Sequence, residues 1–426
     1  MSLSSNSPFY DALEARDPQA REQALMSALS TQVAHAQANA SAYGEVLAGV
    51  DAQQVNSRSA LAALPVTRKA DVLARQQALR GTEAFGGYAT VGWGSLLRRG
   101  PVRRVFQSPG PIYEPEGQAS DYWRVARALY AAGLRAGDLV HNSFSYHLTP
   151  AGSMMEGGAH ALGCSVFPGG VGNTELQLQA ISDLRPQAYV GTPSFLKILM
   201  DKAAEQGSEA MRTVSKALLS GEAFPAALRD WLAERGVSAY QCYATADIGL
   251  IAYETMAREG LVLDEGVILE IVRPGSGEPV PEGEVGEVVV TTLNPDYPLI
   301  RFGTGDLSAV LPGACPSGRS NTRIKGWMGR ADQSAKVRGM FVHASQVAQI
   351  VKQFPEVARA RLLIEGEMAQ DQMRLQVEVA APIEGLADRL AQAVRDLTKL
   401  RAQIELLAPG SLPNDGRVVE DRRRID

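Results

Sequence analysis

Cysteine is scarce in this chain of 426 residues. The three that occur, Cys164, Cys242 and Cys315, lie far apart without a C-x-x-C spacing, which argues against both a disulfide framework and a zinc ribbon. No run of about 18 uninterrupted apolar residues is present. The opening MSLSSNSPFYDALEARD also lacks a basic start followed by an apolar core, so a cytoplasmic protein with no membrane association is expected. A surplus of positive charge is absent too: the formal net charge is −5, which speaks against nucleic acid as a partner. The final EDRRRID reads as a solvated tail.

What is present is an ordinary globular composition, 45% hydrophobic and 21% charged, on a chain long enough for one large domain and a smaller one. From Asp17 to about Leu47 an alanine-rich pattern predicts helix. LPVTRKADVLARQ reads as a turn and a capped helix. In SDYWRVARALYAAGLRAGD, the spacing of Trp123, Ala126, Leu129, Tyr130 and Leu134 predicts another helix, leaving at Gly133 and Gly137.

The short apolar runs DLVHNSF, CSVFPGG, AYVGTP, KALLSG and SAYQCYAT then alternate with helix-like stretches, the rhythm of a doubly wound parallel sheet. SVFPGGVGNT lacks the full G-x-G-x-x-G pattern of a dinucleotide site and reads as a strand-to-helix turn, with Asn173 or Thr174 as the cap. Beyond residue 260, VILEIVRPGSGEPVPEGEVGEVVVTTL alternates around Gly-Pro turns as antiparallel hairpins do. The last hundred residues suit a small α+β domain. The fold class expected is therefore α/β, with a large domain over 1–329 carrying the parallel sheet plus a β region, and a C-terminal domain over 330–426.

Chemistry concentrates in YPLIRFGTGDLS, where Asp306 follows a glycine turn. A carboxylate there can accept both hydroxyls of a ribose. About twenty residues on comes RIKGWMGRADQSAKVRGMFVHASQV. Together, and with PFYDALEARDPQARE, LPVTRKADVL, HALGCSVFPGG, GTPSFLKIL, SGEAFPAALR and QCYATADIGLIAYE in the same order, these stretches resemble the phenylacetate–CoA ligase family of adenylate-forming enzymes.

That resemblance implies an AMP-forming aryl- or arylacetate–CoA ligase, using ATP, Mg2+ and CoA on a small aromatic carboxylic acid, with a mobile C-terminal domain and a homodimer. Carried over by position, Asp306 and Arg330 serve the ribose and Asp332 is the hinge. Ser220, Gly221, Glu222 and Ala223 line the adenine and acyl edge. Tyr243 and Ala244 belong to the nucleotide block YATADIG, whose Asp247 takes the place of the magnesium-binding acid. At the end of DLVH, Phe144, Tyr146 and His147 are candidates to wall an aromatic acid, in a fold that binds ligands at the C-terminal ends of its strands.

Two positions depart from the family pattern. QSPGPIYEPEG, residues 107–117, stands where a phosphate loop belongs. Three of its residues are prolines without an N–H, it has no lysine, and Glu114 and Glu116 would repel phosphate. Ser108, Gly110 and Tyr113 are its remaining donors, with Arg103 and Arg104 just upstream. The C-terminal lysine of the family is replaced by Arg417 in LPNDGRVVEDRR. These departures keep two other readings open: a homologue that binds nucleotide or acyl-adenylate without turnover, and an adenylating enzyme with an acceptor other than CoA.

Overall fold

A computed structural model of the chain describes residues 7–94, 100–273, 276–331, 334–338, 340–366, 371–381, 383–413 and 418–423. Asp332, the expected hinge, and Arg417, the expected C-terminal cation, lie outside these residues. The chain divides into two compact units, one of residues 1–221 with 232–327 and one of residues 222–231 with 328–426.

The first unit opens with the helix Pro18–Asn39, capped by Asp17, whose carboxylate accepts the Ala20 N–H at 2.9 Å. The long helix expected to about Leu47 is broken at Ala40, which is extended, and a short helix Ser41–Val46 follows. The segment around Trp123 departs further from expectation. Only Ala126–Ala131 is helical, and Arg124 has φ 62°. The Arg124 guanidinium is drawn to the Asp264 carboxylate at 2.8 Å and to the carbonyls of Ile248 and Leu250, which holds this stretch against the sheet.

Strands β1 (Thr67–Arg68), β2 (Arg104–Ser108) and β3 (Ile112–Glu116) precede the predicted parallel set: β4 (Leu139–Asn142), β5 (Ser165–Pro168), β6 (Ala188–Gly191), β7 (Lys216–Leu219) and β8 (Ser238–Thr245). These five lie in the order β5-β4-β6-β7-β8 and pair in parallel. The reversal of strand order at β4, with β5 on one side and β6 on the other, is the switch point at which such sheets open a ligand crevice. Between β5 and the helix Thr174–Leu184 the chain turns through Gly170 and Gly172. Asn173 is left-handed there and makes no side-chain cap, contrary to expectation.

Past β8 the chain is antiparallel. β9 (Gly249–Glu254) and β10 (Leu261–Leu263) extend the sheet. β11 (Val267–Val272), β12 (Gly286–Thr292) and β13 (Phe302–Ser308) form the hairpin region, with β1 added in parallel to β13. β14 (Val310–Leu311) and β15 (Arg323–Ile324) close the edge beside β10. In the second unit, β16 (Ser334–Val337) and β17 (Met340–His343) form a hairpin. β18 (Val357–Glu365), β19 (Gln372–Val379), β20 (Gln403–Leu407) and β21 (Val419–Asp421) make a sheet ordered β20-β19-β18-β21. The helix Leu386–Thr398 buries Leu386, Leu390 and Val394, one helical stripe, in a core that also holds Leu362 and Leu375.

One arginine organises the first unit. Arg301 is 2% exposed, and its φ is 46°. Its Nε donates to Glu270 Oε2 at 3.0 Å, its Nη1 to the carbonyls of Ala62 and Leu64, and its Nη2 to the Gly277 carbonyl at 2.7 Å. Its own carbonyl accepts the Thr67 N–H at 2.9 Å, the first bond seating β1 on β13. Arg301→Ala strands the Glu270 carboxylate and these carbonyls, and is expected to cost about 3–5 kcal/mol in urea denaturation. Arg301→Lys should recover little of it, because an ammonium cannot span the fork.

Candidate active site

The turn from β8 into β9 carries the residues read as the nucleotide block. Thr245 Oγ1 accepts the Ile248 N–H at 3.1 Å and tightens the turn. Gly249 leaves it at φ 80°, where a Cβ would come within 2.9 Å of the Trp123 carbonyl oxygen. This position therefore needs glycine for both its backbone and its space. Gly249→Ala is expected to lower stability by roughly 1–3 kcal/mol and to displace the turn, measured by thermal denaturation together with nucleotide affinity.

Within the turn, Asp247 is buried. Its Oδ2 accepts the Lys69 ammonium at 3.1 Å, while its Oδ1 is buried without a hydrogen bond. Lys69 begins the helix Lys69–Ala78 directly after β1, and its Nζ also lies 3.4 Å from Ser108 Oγ. The cation missing from the loop thus arrives from a segment some forty positions earlier. Nothing in TRKADV marks this lysine as part of a site; the pairing of β1 with β13 decides it.

QSPGPIYEPEG forms the arm of a hairpin, β2 against β3, with Ser108 opposite Ile112 around Pro109, Gly110 and Pro111. The helix Lys69–Ala78 clamps β3, as Gln76 exchanges hydrogen bonds with the backbone of Tyr113 at 2.9 Å. Both glutamates are buried and engaged, not aimed outward. Glu114 takes the Ser108 N–H at 3.2 Å and is hydrogen-bonded to the Ser108 hydroxyl. Glu116 accepts Arg104 at 2.9 Å, and Arg103 is turned to the Gln118 carbonyl at 2.7 Å. These arginines are therefore engaged by the hairpin itself and its flank.

Burial, with the Asp247 charge adding to it, pushes the Glu114 carboxyl up to about 8, Lys69 and the Ser108 bonds opposing. The unfolded chain ionises the same group near its ordinary value of 4.5. Its contribution to stability is therefore full below 4.5 and is lost as the pH climbs to about 8. Glu114→Gln should flatten that slope in melts recorded across this window.

On the neighbouring β13, Asp306 is held at both oxygens. Tyr243 donates its hydroxyl to Oδ2 at 2.8 Å, and Trp327 donates its indole N–H to Oδ1 at 3.0 Å. Thr304 Oγ1 takes the Asp306 N–H at 3.1 Å. Each oxygen of a carboxylate can accept more than one donor. At the end of β7, Ser220 donates to the Cys242 carbonyl at 2.8 Å, which ties it to the strand that carries Tyr243 and Ala244, and Gly221 turns away at φ 82°. Glu222, Ala223 and Arg330 belong to the second unit, each half-buried.

The acid-pocket candidates separate. Phe144 is buried within the core cluster of Trp123, Met154 and Met155. Tyr146 accepts from Asn142 at 2.7 Å and donates to Glu156 at 2.8 Å, and His147 is exposed. Asn142, His141, Ser143 and Gln177 form a polar set at the end of β4 that the sequence does not announce: Gln177 Oε1 meets His141 Nε2 at 2.7 Å and the Ser143 hydroxyl at 2.9 Å. The three cysteines are buried and free.

The AMP-binding enzyme family model matches residues 143–294, a span with the β8–β9 turn but neither Lys69 nor Asp306. Over 401 residues the chain is 31% identical to the phenylacetate-coenzyme A ligase of Thermus thermophilus, covering 86% of this chain and 87% of that one. The chain belongs to the phenylacetate–CoA ligase family. A second member, from Aromatoleum evansii, is 30% identical over 407 residues, 89% of each chain. Among solved structures, a 2-hydroxyisobutyryl-CoA ligase in complex with 2-HIB-AMP and CoA superposes with a TM-score of 0.81 at 25% identity, covering 99% of this chain and 94% of that one. Among the described residues, no helix is long and apolar enough to cross a membrane.

Proposed function

We propose that the protein is an AMP-forming aryl- or arylacetate–CoA ligase. In the first half-reaction a carboxylate oxygen of the acid attacks the α-phosphorus of ATP, and pyrophosphate leaves. In the second, the CoA thiol gives its proton to solvent or base as its sulfur attacks the acyl carbon, and AMP leaves. The observation that carries this reading is the Lys69–Asp247 pair at the turn that follows β8, the strand of Tyr243, whose hydroxyl holds Asp306. Cation, acid and ribose-type carboxylate are thereby tied to one strand end.

In this reading Asp306, held by Tyr243 and Trp327, accepts the ribose hydroxyls. Lys69 offsets the negative charge that gathers on the phosphates as the P–O bond breaks, a contribution that is large in a site shielded from water. The bare Oδ1 of Asp247 suits one oxygen ligand of Mg2+, an ion that keeps several waters and takes the rest of its shell from phosphate. Magnesium there would shield phosphate charge. Tyr146 just past β4 supports an aromatic acid, with its hydroxyl fixed by Asn142 and Glu156. A cytoplasmic location and a homodimer go with the reading.

The protein should release AMP and form acyl-CoA from ATP, Mg2+, CoA and at least one acid of a panel that includes phenylacetate and indoleacetate. Neither product with any acid would remove the reading, and acid-dependent pyrophosphate exchange without a CoA effect would point to another acceptor. Lys69→Ala should lower kcat/KM for ATP by about 10²-fold, with the KM for CoA little changed.

A further inference from the structure

Ser108 presents two donors at the hairpin turn, its N–H and its hydroxyl, with the Lys69 ammonium 3.4 Å from that hydroxyl. An N–H and an O–H on one residue, with an ammonium against that hydroxyl, make a seat for an anionic oxygen. The turn has little else to offer, since Pro109 and Pro111 carry no N–H. In this structure both Ser108 donors face the carboxyl of Glu114, which is fully buried. Glu114 comes from β3, as the cross-strand neighbour of Phe106, so its reach back to Ser108 is built into the hairpin register.

We infer that Glu114 is an internal occupant of the phosphate seat, and that it sets the affinity for ATP because a phosphate oxygen reaches Ser108 only when this carboxyl gives the seat up. The inference rests on the ATP reading above. A carboxyl and a phosphate draw on the same donors, so the two compete directly. Burial also makes the exchange feasible: the carboxyl, pushed up to about 8, holds its proton at neutral pH and can withdraw without carrying a charge into the interior. Arg103 and Arg104, turned to Gln118 and Glu116, provide no second seat nearby.

The experiment is calorimetric titration of ATP with Mg2+, and separately of adenosine, into the wild type and Glu114→Ala. Emptying the seat should tighten ATP binding by roughly tenfold, the worth of one or two recovered hydrogen bonds. Adenosine, which has no phosphate, should bind both proteins equally. If Glu114→Ala does not fold, Glu114→Ser, whose side chain is too short to reach Ser108, decides in the same way. Equal ATP affinities, weaker ATP binding by the variant, or an equal gain for adenosine would each overturn the inference. Absence of ATP binding by wild type and variant alike would remove the ATP reading and this inference with it, whereas a ligase with unchanged ATP affinity in the variant loses the inference alone.

Discussion

The Arg301 guanidinium, buried against Glu270 and the carbonyls of Ala62, Leu64 and Gly277, is the contact on which the site geometry depends. A planar fork with five donors can join a carboxylate and separate backbone segments at once, and in a buried setting each of those acceptors would be costly to leave bare. The consequence travels along the chain. Residues 62–64 are pinned, β1 pairs with β13 from Thr67, and Lys69 enters its helix at a set distance from Asp247 and Ser108. Asp306 lies five residues past the same arginine, on the strand that β1 joins.

Charge is then balanced pairwise around the turn at Asp247. Lys69 answers one oxygen of Asp247, while Glu114 is satisfied by Ser108 and not by a cation of its own. Burial is the main reason the Glu114 carboxyl is pushed up, and the Asp247 charge beside it adds to that rise. In this structure the Lys69 ammonium is paired with Asp247 and the Ser108 hydroxyl with Glu114, while Asp247 Oδ1 is buried without a hydrogen bond.

Buried charge also holds the N-terminal segment. Glu14 is paired with Arg127 at 3.1 Å and Arg319 at 2.9 Å, and Glu265 takes both Arg16 and Arg21. Burial raises the Glu14 carboxyl and the two guanidiniums oppose that rise. The residues before the first long helix are thereby fastened to the sheet region that carries β9, through the Tyr253 hydroxyl on Glu14 at 3.1 Å.

Periodicity and turn chemistry were enough to read the parallel strands β4 to β8, the antiparallel region after residue 260 and the α+β character of the C-terminal residues. These depend on local spacing and on which residues tolerate a turn. The ordered motifs likewise pointed to Asp306, Tyr243 and Asp247, because each sits in a contiguous stretch. What the tertiary structure decided is how distant stretches meet. It kept the stretch around Trp123 out of the helix through Arg124 and Asp264, so that the helix starts only at Ala126, paired Arg104 with Glu116, and brought Lys69 to Asp247. It also turned Glu114 from a repelling side chain into a buried partner of Ser108. A residue's charge is written in the sequence, but its partner and its solvation are set by strand register and burial, and those two govern what the charge can do.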